Sequence, residues 1–316
     1  MNIEIPELQY KSGLPFEAQL CRIGRQIPHR HETELELVYC LEGSIHMVAS
    51  DQDFIIKAGQ VHSIDFKDIH YLNAEEENLT LLFHLDLSRL PDWESLRYVY
   101  FACESSHCYP YQEEAMEKIK DMILAFSFIY FSEKDYSYED CAASLGTLID
   151  TLYTYFNWFN YENHDSYMNT DLYDRFTRVL AYIIDNYKEK ITVSQLASRE
   201  HISKNYFSQF ISKTVFSSFS NMVKYIRCYQ AETLLLTTDM SIADISFECG
   251  FSDPKYFYSA FKELWRMTPT DDRERYRIQY EEAGQDNTTV VFPPSEALTF
   301  IKDYITTWHI SKAIKN

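Results

Sequence analysis

The chain has 316 residues, 46% of them apolar, and a formal net charge of −19. That length and apolar share allow two domains with sizeable cores and exclude a disordered chain. No run of 18 apolar residues occurs, so no membrane span is expected, and seven scattered cysteines without a Cys-x-x-Cys exclude a disulfide framework or zinc knuckle.

The first residues, Met1 to Pro6, show neither a basic n-region nor an apolar h-region, which leads to the expectation of a cytoplasmic protein. The acidity is uneven. Residues 1–170 carry 11 basic and 29 acidic side chains, residues 171–280 carry 15 and 14, and residues 281–316 carry 3 and 5.

From Phe16 to about residue 90 the chain alternates short apolar runs with turn signals such as Glu42-Gly43, Asp51-Gln-Asp53 and Ala58-Gly59. Runs at Phe16–Ile23, Leu35–Leu41, Ser44–Val48, Phe54–Ile56, Val61–Phe66 and Leu79–Leu85 argue for a sandwich or barrel. Within them stand His29-x-His31-x4-Glu36-x6-Gly43 and Gly59-x5-Asp65 with His70. This pattern resembles the two motifs of the cupin barrel, in which two His, a Glu and a third His converge on the interior. Asp65 stands where cupins favour Pro, and Lys67 replaces a usual Gly, so the second motif is partial.

Two readings of that cluster compete. His29 and His31, two apart on a strand, can both point inward. With Glu36 and His70 they would hold a divalent metal that leaves open positions for a substrate, as in metal-dependent cupin enzymes. Alternatively, His29, His31, Glu36 and His70 hydrogen-bond an organic effector with no metal and no cofactor. The second is what a sensor domain implies, with a sugar or related metabolite as the expected effector.

From Tyr111 the period changes. Met116, Ile119, Ile123, Phe126 and Tyr130, then Leu145, Leu148, Ile149, Leu152, Tyr155, Phe156 and Phe159, fall at helical spacing. Residues 161–170 are polar, lack a period and read as a linker ending in a helix cap. A helix with Phe176, Val179, Leu180 and Ile183 inward follows.

Residues 191–277 then contain one unit twice. Ile191-Thr-Val-Ser-Gln-Leu-Ala, a break at 198–202 and Ser203 to Lys213 form the first. Ser241-Ile-Ala-Asp-Ile-Ser-Phe, a break at Cys249-Gly250-Phe251 and Asp253 to Lys262 form the second. Each reads as helix, tight turn, helix. Thr192 with Gln195, and Ser241 with Asp244, suit N-caps, and Pro254 suits a first helical turn. Phe207, Phe210 and Ile211, and likewise Phe257, Phe261 and Leu264, fall on one face. The opposite faces carry Lys204, Asn205, Ser208, Gln209, Ser212 and Lys213, and Pro254, Lys255, Tyr258, Ser259 and Lys262. Uncharged hydrogen-bonding groups mixed with lysines suit base edges and phosphates of a major groove. Between the units, Phe219 to about Thr237 reads as a helix of about 28 Å, close to the ~34 Å of one duplex turn.

The segment resembles the DNA-binding domain of the AraC/XylS family of bacterial transcription regulators. Ile242-Ala-Asp-Ile245, Gly250-Phe251-Ser252, Tyr256-Phe257, Phe261-Lys262, Thr268-Pro269 and Arg273 carry the likeness, with Leu196-Ala197, Tyr206-Phe207, Arg227 and Leu234-Leu235 beside them. Phe216 and Arg266 stand where the family usually has Gly, so positive φ is expected at both.

The expected fold is α+β and multidomain. A cupin-like effector-sensing barrel spans 1–110, dimerisation helices 111–160, a linker 161–170, an all-α DNA-binding domain with two helix-turn-helix units 171–280, and a helical extension that packs back on the protein 281–316. The expected function is a non-catalytic regulator that binds double-stranded DNA as a homodimer. A small-molecule effector and RNA polymerase are its further partners. The alternative is a metal-dependent cupin enzyme with an appended DNA-binding domain.

Overall fold

In the computed structural model, residues 3–11, 13–91, 93–157, 170–285 and 288–315 are described. Seven strands form the N-terminal unit: β1 (Phe16–Arg22), β2 (Glu34–Glu42), β3 (Ser44–Ala49), β4 (Gln52–Lys57), β5 (Val61–Ile64), β6 (His70–Asn73) and β7 (Leu79–Asp86). They make two antiparallel sheets, one ordered β5-β2-β7-β1 and one β4-β3-β6. Six of the strands coincide with the apolar runs. β6 was not expected, because His70-Tyr-Leu-Asn73 shows no alternation.

The period of two decides which side chain goes where. Leu35, Leu37 and Tyr39 of β2 join Leu81, Phe83 and Leu85 of β7 in a core beneath the helices. The intervening Val38, Cys40 and Leu82 face the interior between the sheets, against Ile45, Met47, Ile56 and Leu72. His29 and His31 correct the sequence reading. They lie in an extended connection between β1 and β2 rather than on a regular strand, and His29 makes two isolated bridges, to Glu4 and to His70. Lys67, which replaces the cupin glycine, has φ +72°.

A single-turn helix α1 (Trp93–Leu96) precedes α2 (Glu113–Phe131) and α3 (Tyr138–Tyr155). Ser137 starts α3 by accepting from the Asp140 N–H while the Asp140 carboxylate accepts from Ser137 N–H. Phe159, expected on this helix, and all of the expected linker but Thr170 lie outside the described residues.

The C-terminal unit is helical: α4 (Thr170–Asn186), α5 (Val193–Arg199), α6 (Lys204–Ser212), α7 (Phe219–Thr237), α8 (Ile242–Glu248), α9 (Pro254–Trp265) and α10 (Pro269–Gln285). Thr192 and Gln195 form the expected capping box, and Ser241 caps α8. One core gathers Phe176, Ile183, Leu196, Phe207 and Ile211; a second gathers Leu235, Ile245, Phe257, Phe261 and Trp265. The two turns share one hydrogen-bond pattern. His201 N and Ile202 N bond Ser198 O and Ala197 O, just as Gly250 N and Phe251 N bond Phe247 O and Ser246 O. His201 has φ +55° and Gly250 φ +81°. Only glycine fits the second turn, since a Cβ at Gly250 would lie 2.7 Å from Lys188 O.

Of the two glycine substitutions, Arg266 does take φ +60° as the left-handed C-cap of α9. The expectation for Phe216 is off by one residue: its neighbour Ser217 carries φ +58°, while Phe216 is buried against Phe176.

The C-terminal extension does more than end the chain. α10 continues through Gly284 to Gln285, and a short strand β8 (Val290–Val291) pairs with Cys21 and Arg22 at the edge of β1. Helix α11 (Pro294–Lys315) then lies along α2. Ala297 and Ile301 are buried there, Trp308 Nε1 donates to Asp121 at 2.9 Å, and the Tyr304 hydroxyl meets that of Tyr39 at 3.4 Å. Among the described residues no helix is long and apolar enough to cross a membrane.

Candidate functional site

The first candidate surface is formed by α6 and α9. Ser203 caps α6 by accepting from Tyr206 N–H at 3.2 Å, and Asp253 caps α9 by accepting from Lys255 N–H at 2.8 Å. With Phe207, Phe210, Phe257 and Phe261 buried, the helical period turns the other face outward. Lys204, Asn205, Ser208, Gln209, Ser212 and Lys213 are exposed, as are Lys255, Tyr258, Ser259 and Lys262; Pro254 is half-buried in the first turn. Tyr258 is less free than its exposure suggests, because its hydroxyl lies 3.2 Å from Thr270 Oγ1. Two exposed tyrosines were not among the expected DNA-facing residues, Tyr206 at 45% and Tyr256 at 56% exposure, although they sit on α6 and α9. A groove of about 530 Å³ runs between the two units, with Lys190, Arg227, Ser220 and Tyr256 on its walls. Arg227 is committed to structure there, donating to the carbonyls of Tyr187 and Glu189, both at 2.9 Å.

The second candidate site is the polar end of the barrel. His29, His31, Glu36 and His70 do converge, with one ligand atom from each lying within 4.8 Å of the others. All but His29, which is half-buried, are excluded from solvent. Sequence reading missed His84. It lies on β7 directly across the ladder from Glu36, and its Nε2 is 3.7 Å from Glu36 Oε1. Only the strand register brings it there.

Backbone carbonyls orient two of the rings. His29 Nδ1 is 2.9 Å from Ile27 O, and His70 Nδ1 is 2.9 Å from Asp68 O. A proton on each Nδ1 leaves each Nε2 facing the cluster. His70 Nε2 lies 3.0 Å from Glu36 Oε2 but out of line for a hydrogen bond, so it is a buried nitrogen without a hydrogen-bond partner. His31 Nε2 reaches the same carboxylate oxygen at 3.3 Å.

The electrostatics follow from this crowding. Burial disfavours the Glu36 carboxylate, yet the imidazoles of His84 and His70 hold it well below the usual carboxylate range. Burial also opposes charge on His70, but Glu36 draws its pKa upward. Burial pushes His29 well down and His84 down to about 3. Burial thus keeps His29 and His84 neutral beside the Glu36 carboxylate. Such a donor set, with an orphaned Nε2 beside a carboxylate, fits a divalent transition metal.

The same loop that supplies His70 also docks the helical unit. The Tyr229 hydroxyl of α7 donates to Asp68 Oδ1 at 2.6 Å, and the Tyr276 hydroxyl of α10 donates to Ile69 O at 2.8 Å. Gln279 of α10 bonds Asn73 and the carbonyl of Gln26, and Arg275 reaches Asp53 at 3.2 Å. Val48, Ile69 and Tyr71 complete the contact by joining the apolar core of the second helix-turn-helix unit.

Comparison with known proteins gives a family for each unit. Residues 196–275 match a helix-turn-helix domain of the AraC type, and residues 23–85 match a cupin domain. YijO, an HTH-type transcriptional regulator of Escherichia coli, is 30% identical over 107 residues, 34% of this chain and 38% of that protein. The lactose operon transcription activator of Staphylococcus xylosus is 30% identical over 97 residues, 31% of this chain and 35% of that protein. The chain therefore spans little more than a third of the length of these two relatives. YdiP, another E. coli HTH-type regulator, is 23% identical over 265 residues, 80% of this chain and 83% of that one. Among solved structures, ToxT of Vibrio cholerae covers 82% of this chain and 98% of its own, with 11% identity and a TM-score of 0.43.

Proposed function

We propose that this chain, a DNA-binding regulator of the AraC type with a cupin-like N-terminal domain, works without catalysis and is controlled by a small-molecule effector at the barrel. The observation that carries the DNA reading is the pair of capped helices α6 and α9. Each presents uncharged hydrogen-bonding side chains and lysines outward, and the 19-residue α7 joins them. At about 1.5 Å per residue that spacing suits successive major grooves on one face of a duplex. The near balance of charge over 171–280 leaves little nonspecific attraction, so base contacts and a second subunit supply the affinity. The proposed assembly is a homodimer. α2 is already covered by α11, so the outward face of α3 is the part of the expected surface left to carry it. RNA polymerase is the proposed further partner when bound DNA is a promoter.

Protection of a site upstream of neighbouring genes in a footprinting experiment tests this reading. No protected site, with or without a panel of metabolites, would overturn it.

For the effector, the class proposed is a small polar metabolite, with a sugar as the best match. Its hydroxyls both donate and accept, as imidazoles and a carboxylate require. The four donors leave room among themselves for an ion or a water and not for a sugar ring. The effector is therefore placed against the half-buried His29 side of the cluster.

A second reading is favoured by the buried His70 Nε2 that faces Glu36 without a hydrogen bond. His29, His31 and His70 with Glu36 would hold a divalent transition metal, which would supply a Lewis-acid point for an oxygen of the effector. The chain's own part is orientation: the Ile27 and Asp68 carbonyls hold the rings, and His84 sits against the far carboxylate oxygen. Metal analysis of the purified protein beside a thermal-shift screen separates the two readings. Stoichiometric metal with turnover of a screened compound would replace the regulator's sensor by an enzyme.

A further inference from the structure

A cavity of about 480 Å³ lies between the barrel unit and the helical unit, away from the histidine cluster. That volume is in the range of small-molecule sites and far beyond what one ion needs. Its barrel wall carries Asp51, Asp65 and Asp68, and its helical wall carries Phe216, Tyr225 and Tyr229.

The charge of this cavity is one-sided. None of the three aspartates forms an ion pair among the described residues. Asp51 accepts from the Tyr225 hydroxyl at 3.2 Å and Asp68 from the Tyr229 hydroxyl at 2.6 Å. Asp65 receives a single backbone N–H, from Phe101, shared between its two oxygens at 3.1 Å each. A carboxylate has about four acceptor positions, so Asp65 is under-supplied for a group set back from solvent. The lysine on the wall, Lys224, is committed to Glu263 at 2.7 Å.

Aromatic rings complete the lining. Tyr100 and Tyr229 meet edge to face at 6.2 Å, and Phe216 and Tyr225 meet at 5.8 Å. Ring faces attract cations and carboxylates pair with them, so both parts of the lining select the same ligand charge.

We propose that this interdomain cavity is a ligand site of its own, one that takes an organic cation: an amine carried on an alkyl or aromatic body. The inference stands apart from the barrel reading and does not depend on what the histidines hold. Because the walls come from both units, a ligand here contacts the joint between them. It biases DNA binding to the extent that its affinity differs between arrangements of the two units.

The test uses the full chain. Spermidine and phenethylamine are titrated by calorimetry and by melting, beside the uncharged 2-phenylethanol and beside Mg²⁺ at matched ionic strength. At least one amine should bind saturably at one per chain and raise the melting temperature, while 2-phenylethanol and Mg²⁺ should not. The double variant Asp65→Asn/Asp68→Asn should lose about tenfold in affinity or more, the equivalent of at least one ion pair at about 1.4 kcal/mol per decade. Glu133→Gln, on the exposed turn before α3, should bind like the parent. If circular dichroism shows the double variant misfolded, Asp51→Asn takes its place with the same expected loss. Absence of saturable binding, equal binding by all variants, or reproduction of the effect by Mg²⁺ would each overturn the assignment.

Discussion

The hydroxyl of Tyr276, in the last helix of the DNA-binding unit, donates a 2.8 Å hydrogen bond to the carbonyl oxygen of Ile69, in the barrel. Ile69 sits between two other working residues. Asp68 before it accepts from Tyr229 of α7, and His70 after it turns its ring toward Glu36. Three consecutive residues thus touch the candidate effector cluster on one side and two helices of the DNA-binding unit on the other. Whatever moves His70 must also load the two hydrogen bonds that hold the units together.

Tyr276→Phe should therefore loosen the joint without touching either surface. It leaves the Ile69 carbonyl unpaired, which costs about 1–2 kcal/mol for a buried group. Hydrogen exchange should quicken over residues 65–72 while exchange in the core of α5 and α6 stays unchanged. Unaltered exchange and melting temperature would mean that the bond does not hold the units.

On the DNA face, Gln209→Ala should cost ~1–3 kcal/mol and relax preference at one base position. Lys262→Ala should weaken binding to all sequences alike and lower the salt dependence, as loss of a phosphate contact does. A selection of randomised duplexes, repeated at two salt concentrations, distinguishes the two patterns. If Lys262→Ala changed base preference instead, the role assigned to it would be wrong.

Acid–base behaviour should centre on Asp272. It is fully buried; one carboxylate oxygen accepts from Arg275 at 2.9 Å and the other has no hydrogen-bond partner. Glu232 of α7 faces it, Tyr71 and Tyr276 lie beside the pair, and Trp265 Nε1 donates to Glu232. Burial raises Asp272 from 3.8 to about 6, with Arg275 opposing. A carboxyl whose pKa rises on folding binds its proton more tightly in the folded state. Its contribution to stability is thus complete below about pH 4 and is lost as pH climbs through about 6. Melting followed from pH 4.5 to 7.5 should show Asp272→Asn gaining on the parent by an amount of order 2 kcal/mol. A constant difference across that range would remove Asp272 from the account.

Arg266 offers a separate test of backbone strain. It is exposed and holds φ +60° at the end of α9, a conformation that costs a side chain with a Cβ about 1–2 kcal/mol. Arg266→Gly should raise the melting temperature and stabilise by up to ~1 kcal/mol after the greater freedom of glycine in the unfolded chain is subtracted. A lower melting temperature would show that the guanidinium makes a contact worth more than the strain.

Subunit association should decide how tightly DNA is held. A fragment beginning at residue 171 should bind the same duplex much more weakly than the full chain at equal salt, since its own charge is nearly balanced. Sedimentation of the full chain at micromolar concentration should give a dimer. A monomer there, or equal affinity of fragment and full chain, would end the dimer reading.

Sequence by itself determined the elements whose signals are local. The apolar run Leu35–Leu41 marked β2, spacing at Phe207, Phe210 and Ile211 marked α6, and the caps at Thr192 and Ser241 marked two helix starts to the residue. Exposure of Gln209, Ser259 and Lys262 followed from the same period, because a helix with one face buried must turn the other outward. The convergence of His29, His31, Glu36 and His70 was legible only through resemblance to the cupin pattern, since their spacing alone admits other folds. Tertiary structure decided the rest. His84 joins the cluster through the register of β7 against β2, Asp68 meets Tyr229 across 161 residues, and α11 lies on α2 far along the chain. No window of neighbouring residues encodes such meetings. They depend on where whole sheets and helices come to rest once their apolar faces are buried together.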